Sequence, residues 1–214
     1  MSDVTAVDHL VVGGPGLHLL ESWWKDRTGV TPSRGGSHPG AGTWTSLVGV
    51  GPATYVELIA PDPVQPVSVR PLPFGVDSLH RPTLVTFAVA VPDIDRSAEL
   101  VAENGIDPGE IRDMSRIRPD GVELSWRLAV PPDPSLAGVM PFLIEWGAGS
   151  HHPCDTLVQF LDLVDLFLSH PDPVPIGNAI AAASDTKINV SEGPVELRAR
   201  FHSDQGIVNL SSIE

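Results

Sequence analysis

Tyr55-Val56-Glu57-Leu58-Ile59 and Phe142-Leu143-Ile144-Glu145-Trp146 are two short apolar runs, each interrupted by one carboxylate. Gly206-Ile207-Val208-Asn209-Leu210 is a third run, with an amide in place of the carboxylate. Each closes a stretch that reads as a strand, a helix and one or two more strands. The chain therefore reads as α+β, with a repeated βαβββ unit forming a cupped mixed sheet and a degenerate third copy. A Glu flanked by Val, Leu and Ile is either solvated on an outer face or turned into a cavity with a partner, because burying it unpaired is too costly. His9 is the obvious partner.

The first unit starts at Val7-Asp8-His9-Leu10-Val11-Val12, a β-branched run stopped by Gly13-Gly14-Pro15-Gly16. A helix is expected from about 17 to 27, with Leu17, Leu20, Trp23 and Trp24 inward, ending at Gly29. Residues 30–32 can form a short strand. Arg34 to Gly42, with four glycines between 35 and 42, reads as a loop able to gate a cavity. Residues 43–50 and 54–60 make a hairpin. Between 61 and 82 six prolines mark a linker. The second unit restarts as a strand at 84–91, with Asp93 as N-cap of a helix to Glu103 closed by Asn104-Gly105, then strands at 122–130 and 142–146. The expected boundaries are module one at 5–60, linker 61–82 and module two at 83–147, together the cavity-forming part 5–147. A third module at 157–212 has strands at 158–168, 195–201 and 207–210 and a helix at about 174–183.

Composition narrows the partners. The chain has 214 residues and a formal net charge of −14, which argues against nucleic acid or an anionic membrane, since both reward clustered Lys and Arg. Cys154 is the single cysteine, so no intramolecular disulfide framework is possible. The N-terminus lacks a signal-peptide pattern, and no apolar run reaches the roughly 20 residues that span a bilayer. The expectation is a cytoplasmic protein with a small-molecule ligand.

On strand parity Val7, His9 and Val11 share one face, as do Tyr55, Glu57 and Ile59. If two such units pair into a cup, His9 and Glu57 meet inside it. With the Val91-Pro92-Asp93 end as register mark, Thr86 takes the place of His9 in the second unit and Glu145 that of Glu57.

Asp8-His9-Leu10-Val11-Val12, the loop from Gly36 to Thr43, the run from Tyr55 to Pro61 and the run from Pro141 to Gly147 together resemble the glyoxalase-like domain of the vicinal oxygen chelate superfamily. The resemblance covers about residues 5–212. It implies paired βαβββ modules around a cavity, a dimer, and a divalent metal held by His9, Glu57 and Glu145. Thr86 departs from it, since many metal-dependent members carry His, Glu or Gln there. An imidazole and two carboxylates suit Zn, Mn, Ni or Fe(II) and leave positions open for substrate oxygens. A displaced carboxylate, Glu57 or Glu145, would serve as general base.

His38 on the glycine-rich loop, Trp44, Arg116 and Trp126 are the candidate substrate contacts. The bland alternatives are a solvated loop histidine for His38, surface charges for Arg116 and Arg118, and core packing for Trp126. His151, His152 and Cys154 look like a metal cluster but lack a second ligand pair, so they read as a solvated loop. Two functions follow. One is a metal-assisted lyase, isomerase or hydrolase acting on a small oxygen-rich metabolite. The other is a metal-free protein that binds or sequesters a small molecule in the same cavity.

Overall fold

The computed structural model describes residues 7–65, 71–136, 138–184 and 188–213. The elements in order are β1 (Val7–Gly13), α1 (Leu17–Thr28), β2 (Ser33–His38), β3 (Thr43–Gly49), β4 (Tyr55–Pro61), β5 (Thr83–Ala90), α2 (Ile94–Glu103), β6 (Ile111–Ile117), β7 (Glu123–Ala129), β8 (Phe142–Trp146), β9 (Asp162–His170), α3 (Pro173–Ser184), β10 (Val190–Glu192), β11 (Glu196–Ser203) and β12 (Gly206–Ser211). The fold is mixed α+β. The first eight strands form a mixed sheet that curls until it closes, in the order β1-β4-β3-β2-β6-β7-β8-β5.

Two parallel ladders hold the middle, β1 with β4 and β5 with β8, and β1 joins them by pairing antiparallel with β5. The sheet closes where Ser37 of β2 pairs with Ile117 of β6. Gly36 makes that approach possible. Its φ is +118°, and a Cβ there would stand 1.9 Å from the Ile117 carbonyl oxygen.

Two apolar layers result. Outside the sheet, α1 and α2 pack with Leu10, Val12, Val56 and Leu58 around fully buried Trp24, Phe87 and Phe201. Inside, Val11, Ile59, Ala88, Phe142 and Ile144 form a second cluster. α1 ends as its sequence demands: Gly29 adopts φ 74° and returns its N–H to the Lys25 carbonyl. Asp93 caps α2 by accepting from Arg96 N–H at 3.0 Å. The last four strands form a separate sheet, ordered β10-β9-β11-β12, packed against the outer layer rather than extending the closed sheet.

Three local expectations are corrected. The stretch 34–38 is strand, not loop, because the glycines let β2 pass close to its neighbours: a Cβ on Gly35 would lie 2.6 Å from Thr45 and 2.9 Å from the Arg116 guanidinium. Residues 111–117 form β6, a strand that the sequence does not predict. The proline-rich stretch contains a short 3-10 helix, Pro73–Ser78, whose Phe74 adopts φ 56°; residues 66–70 of the expected linker lie outside the described residues.

Candidate active site

The closed sheet encloses a cavity of about 550 Å³, a size suited to a small organic molecule. Its walls are largely aromatic and aliphatic, with Tyr55, Phe74, Trp126, Leu128, Phe142, Ile144 and Trp146 among them. Among the polar side chains in this lining, His9, His38, Glu57 and Arg116 are nearly inaccessible, at 3%, 4%, 7% and 4% exposed.

β4 aims Glu57 inward by alternation with Tyr55 and Ile59, and β1 does the same for His9. His9 Nε2 lies 3.9 Å from Glu57 Oε2, and His38 Nε2 lies 3.7 Å from Glu57 Oε1. Both gaps exceed a hydrogen bond, so the carboxylate stands between two imidazoles without being tied to either. Each ring is fixed from behind. His9 Nδ1 meets Asp8 Oδ1 at 2.6 Å, and His38 Nδ1 meets the Thr43 hydroxyl at 2.9 Å. Tyr55 stacks on His9 with ring centres 4.6 Å apart, and Trp126 meets His38 edge-on at 5.8 Å.

Burial pushes the His38 pKa down to about 4; the Arg116 guanidinium adds to this, while the Glu57 carboxylate opposes it. At neutral pH His38 is therefore uncharged. Burial works to raise the Asp8 carboxyl, but hydrogen bonds from His152 and His9 overcome it and hold the group well below the usual carboxylate range. Burial likewise disfavours charge on His152, yet its hydrogen bond to Asp8 raises its pKa to about 9. Arg116 Nε is buried and has no hydrogen-bond partner among the described residues.

The structure thus brings His9, Glu57, His38, Arg116 and Trp126 into one lining. His38 is there as a buried residue ending β2, not as a mobile loop side chain. Glu145, expected beside them, is not. In β8 the inward residues are Phe142, Ile144 and Trp146, so Glu145 points outward, where it pairs with Arg127 Nη2 at 2.6 Å and accepts from the Ile94 backbone N–H at 2.9 Å at the start of α2. Trp44 is also outside, for the same reason of parity: Thr43 faces the cavity, while Trp44 packs beside His18 and Arg34. Thr86 pairs with Val11, and the residue across from His9 is Ala88. His151 is solvated as expected, but His152 is not: it turns back to Asp8, with Nε2 3.1 Å from Oδ2. Arg118 pairs with Asp120 beyond the cavity lining. The adjacency of Asp8 to His9 was the one sequence signal for the Asp8 contacts.

His9 pairs with Tyr55 in one parallel ladder as Ala88 pairs with Phe142 in the other. By that correspondence Glu57 matches Ile144. The half of the cavity facing His9 and Glu57 thus offers a methyl and a sec-butyl group where an ion needs donors. Among the described residues no group of three or more His, Cys, Asp and Glu side chains is arranged to hold a metal. The buried Arg116 guanidinium would also repel a divalent cation. The residues present do not fit a metal centre.

No curated protein is significantly similar to the chain in sequence. A hypothetical protein from Staphylococcus aureus shares the fold with a TM-score of 0.64 at 14% identity, over 88% of this chain and 86% of that one. Methylmalonyl-CoA epimerase from Mycobacterium tuberculosis aligns at 21% identity over 69% of this chain and 92% of that one, with a TM-score of 0.44. A Streptomyces coelicolor methylmalonyl-CoA epimerase in complex with 2-nitronate-propionyl-CoA aligns at 16% identity over 67% and 98%, with a TM-score of 0.46. No described helix is long and apolar enough to cross a membrane. The profile of the glyoxalase-like domain matches residues 7–185, more than half of the chain. By that match the chain belongs to the glyoxalase-like domain family of the vicinal oxygen chelate superfamily.

Proposed function

We propose that this protein binds a small organic acid with an apolar body in the cavity and moves a proton on it, as an isomerase or lyase whose steps are carried by side chains. The observation that supports this reading is the buried Arg116, whose Nε lacks a partner among the described residues, in the same apolar-walled cavity where Glu57 lies beyond hydrogen-bond reach of both histidines. A buried donor left unsatisfied is expensive, and a substrate carboxylate would satisfy it. In this reading 7–61 and 83–146 are two βαβββ modules that share the cavity, and 162–211 is a third that braces its outside.

The chemistry follows from the placement of charge. The substrate carboxylate docks on Arg116 with its body against Trp126, Leu128 and Phe142. Glu57, beyond hydrogen-bond reach of both histidines, takes a proton from the carbon next to a carbonyl, and the C–H electron pair moves onto the carbonyl oxygen. His9 in its doubly protonated form, with Nδ1–H held on Asp8, gives that oxygen the proton of Nε2. That step completes a keto–enol isomerisation; Glu57 then releases its proton to solvent and His9 takes one up, and reversal of the step puts a solvent-derived proton on the carbon. Neutral His38 adds a polar contact without competing with Arg116 for the anion.

The test is solvent exchange. Aryl and alkyl 2-oxo acids incubated with the protein in D2O should lose their C3 protons, followed by NMR. Glu57→Gln should abolish exchange yet keep binding, and Arg116→Met should lose binding. The apolar pair Ala88 and Ile144 favours a second reading, sequestration without turnover. Binding of these acids with no exchange in the wild type would establish that reading, and failure of every acid to bind would overturn both.

A further inference from the structure

We propose that Asp8 is the positioning residue that fixes which nitrogen of His9 faces the cavity, and that Trp146 and His152 impose this orientation on it. The inference rests on the reading of His9 as proton donor at Nε2. It begins with a bulge. Val7 pairs with Val89 and His9 with Ala88, so two steps along β1 match one step along β5. Asp8 is the extra residue. In a regular strand its side chain would point away from that of His9; the bulge brings the two side chains together, and they bond at 2.6 Å.

The Asp8 carboxylate accepts on both oxygens. Oδ1 takes His9 Nδ1–H. Oδ2 takes the Trp146 indole N–H at 3.0 Å and His152 Nε2 at 3.1 Å. An indole nitrogen can only donate. His152 Nε2 also donates: in the charged ring both nitrogens carry a proton, and in the neutral ring Nδ1 accepts the Cys154 backbone N–H at 3.2 Å, which leaves the remaining proton on Nε2. Two donors therefore claim Oδ2, and Oδ1 is left for His9. His9 carries a proton on Nδ1 in either charge state, so only the Nε2 proton comes and goes, facing Glu57.

Asp8→Asn probes this logic. The amide has one acceptor, and the donors Trp146 and His152 claim it. Its NH2 must then face His9 Nδ1, which becomes an acceptor, and the ring proton moves to Nε2. Nitrogen-15 NMR of the histidine rings reads this without any substrate. In the wild type His9 Nδ1 should hold a slowly exchanging proton throughout the pH range of the folded protein; finding Nδ1 deprotonated there would overturn the proposal, even if Asp8→Asn does not fold. In Asp8→Asn the neutral ring should carry its proton on Nε2, and retention on Nδ1 would equally overturn it. A merely structural role for Asp8 moves stability but not the tautomer. In the D2O assay Asp8→Asn should lower kcat roughly 100-fold with KM little changed, because an amide that donates to Nδ1 no longer supports the doubly protonated ring that gives the proton. A shifted tautomer with unchanged exchange would uphold the positioning and instead refute the role of His9 in the reaction.

Discussion

Arg116 is the residue whose removal should separate stability from function. It is 4% exposed, it lines the cavity, and its Nε has no partner among the described residues. An unsatisfied buried donor costs about 1–3 kcal/mol, and attraction to Glu57 across the cavity returns part of this. Arg116→Met keeps the apolar stem and removes the unsatisfied group. The ligand-free variant should therefore be more stable than the wild type by about 1 kcal/mol, or about 2–4 °C in Tm for a chain of this size. Added ligand should reverse the order. A 2-oxo acid at about 100 times its Kd would stabilise the wild type by about 2.7 kcal/mol and leave the variant where it was. Thermal unfolding of both proteins with and without the acid measures all four states. A variant less stable than the wild type without ligand, or one that keeps the ligand-induced shift, would refute the argument that Arg116 is held unpaired for an anion.

Other perturbations probe the rest of the account. Glu145→Ala should cost about 1 kcal/mol through the lost contact at the start of α2, seen by urea unfolding, with ligand affinity unchanged because the side chain lies outside the cavity. Gly36→Ala should cost about 3 kcal/mol or more and weaken ligand binding too, since its Cβ would collide with the Ile117 carbonyl where the sheet closes. His38 has a folded pKa of about 4 against 6.5 in the unfolded chain, so below pH 6.5 the unfolded chain takes up a proton that the native one does not. Stability should fall by up to about 3 kcal/mol between pH 6.5 and 4 on this account, and His38→Asn should flatten that slope in unfolding titrations.

What the sequence shows and hides follows from which contacts are local. β1, α1 with its Gly29 stop, the hairpin and the Asp93 cap are set by neighbours in the chain, and all were legible. β6 was not, because Arg112, Met114 and Arg116 face a ligand cavity while Asp113 and Ser115 face outward; a strand polar on both sides lacks apolar alternation. β2 was hidden by glycines that serve close packing rather than a loop. Pairing Glu145 with Glu57 matched them by chemical type. Counting from the strand starts, Tyr55 with Phe142, puts Ile144 at the Glu57 position, and the shift of one residue moves the carboxylate to the other face. His152 returns to Asp8 across 144 residues, a contact with no local trace.

The most direct test of the central claim is a crystal structure of the protein with a bromine-labelled aryl 2-oxo acid. The account predicts the carboxylate on the Arg116 guanidinium, the aromatic ring and its bromine against Trp126 and Phe142, and the C3 carbon within reach of Glu57. An acid bound outside the cavity, or bound inside it with its carboxylate away from Arg116, would contradict the account.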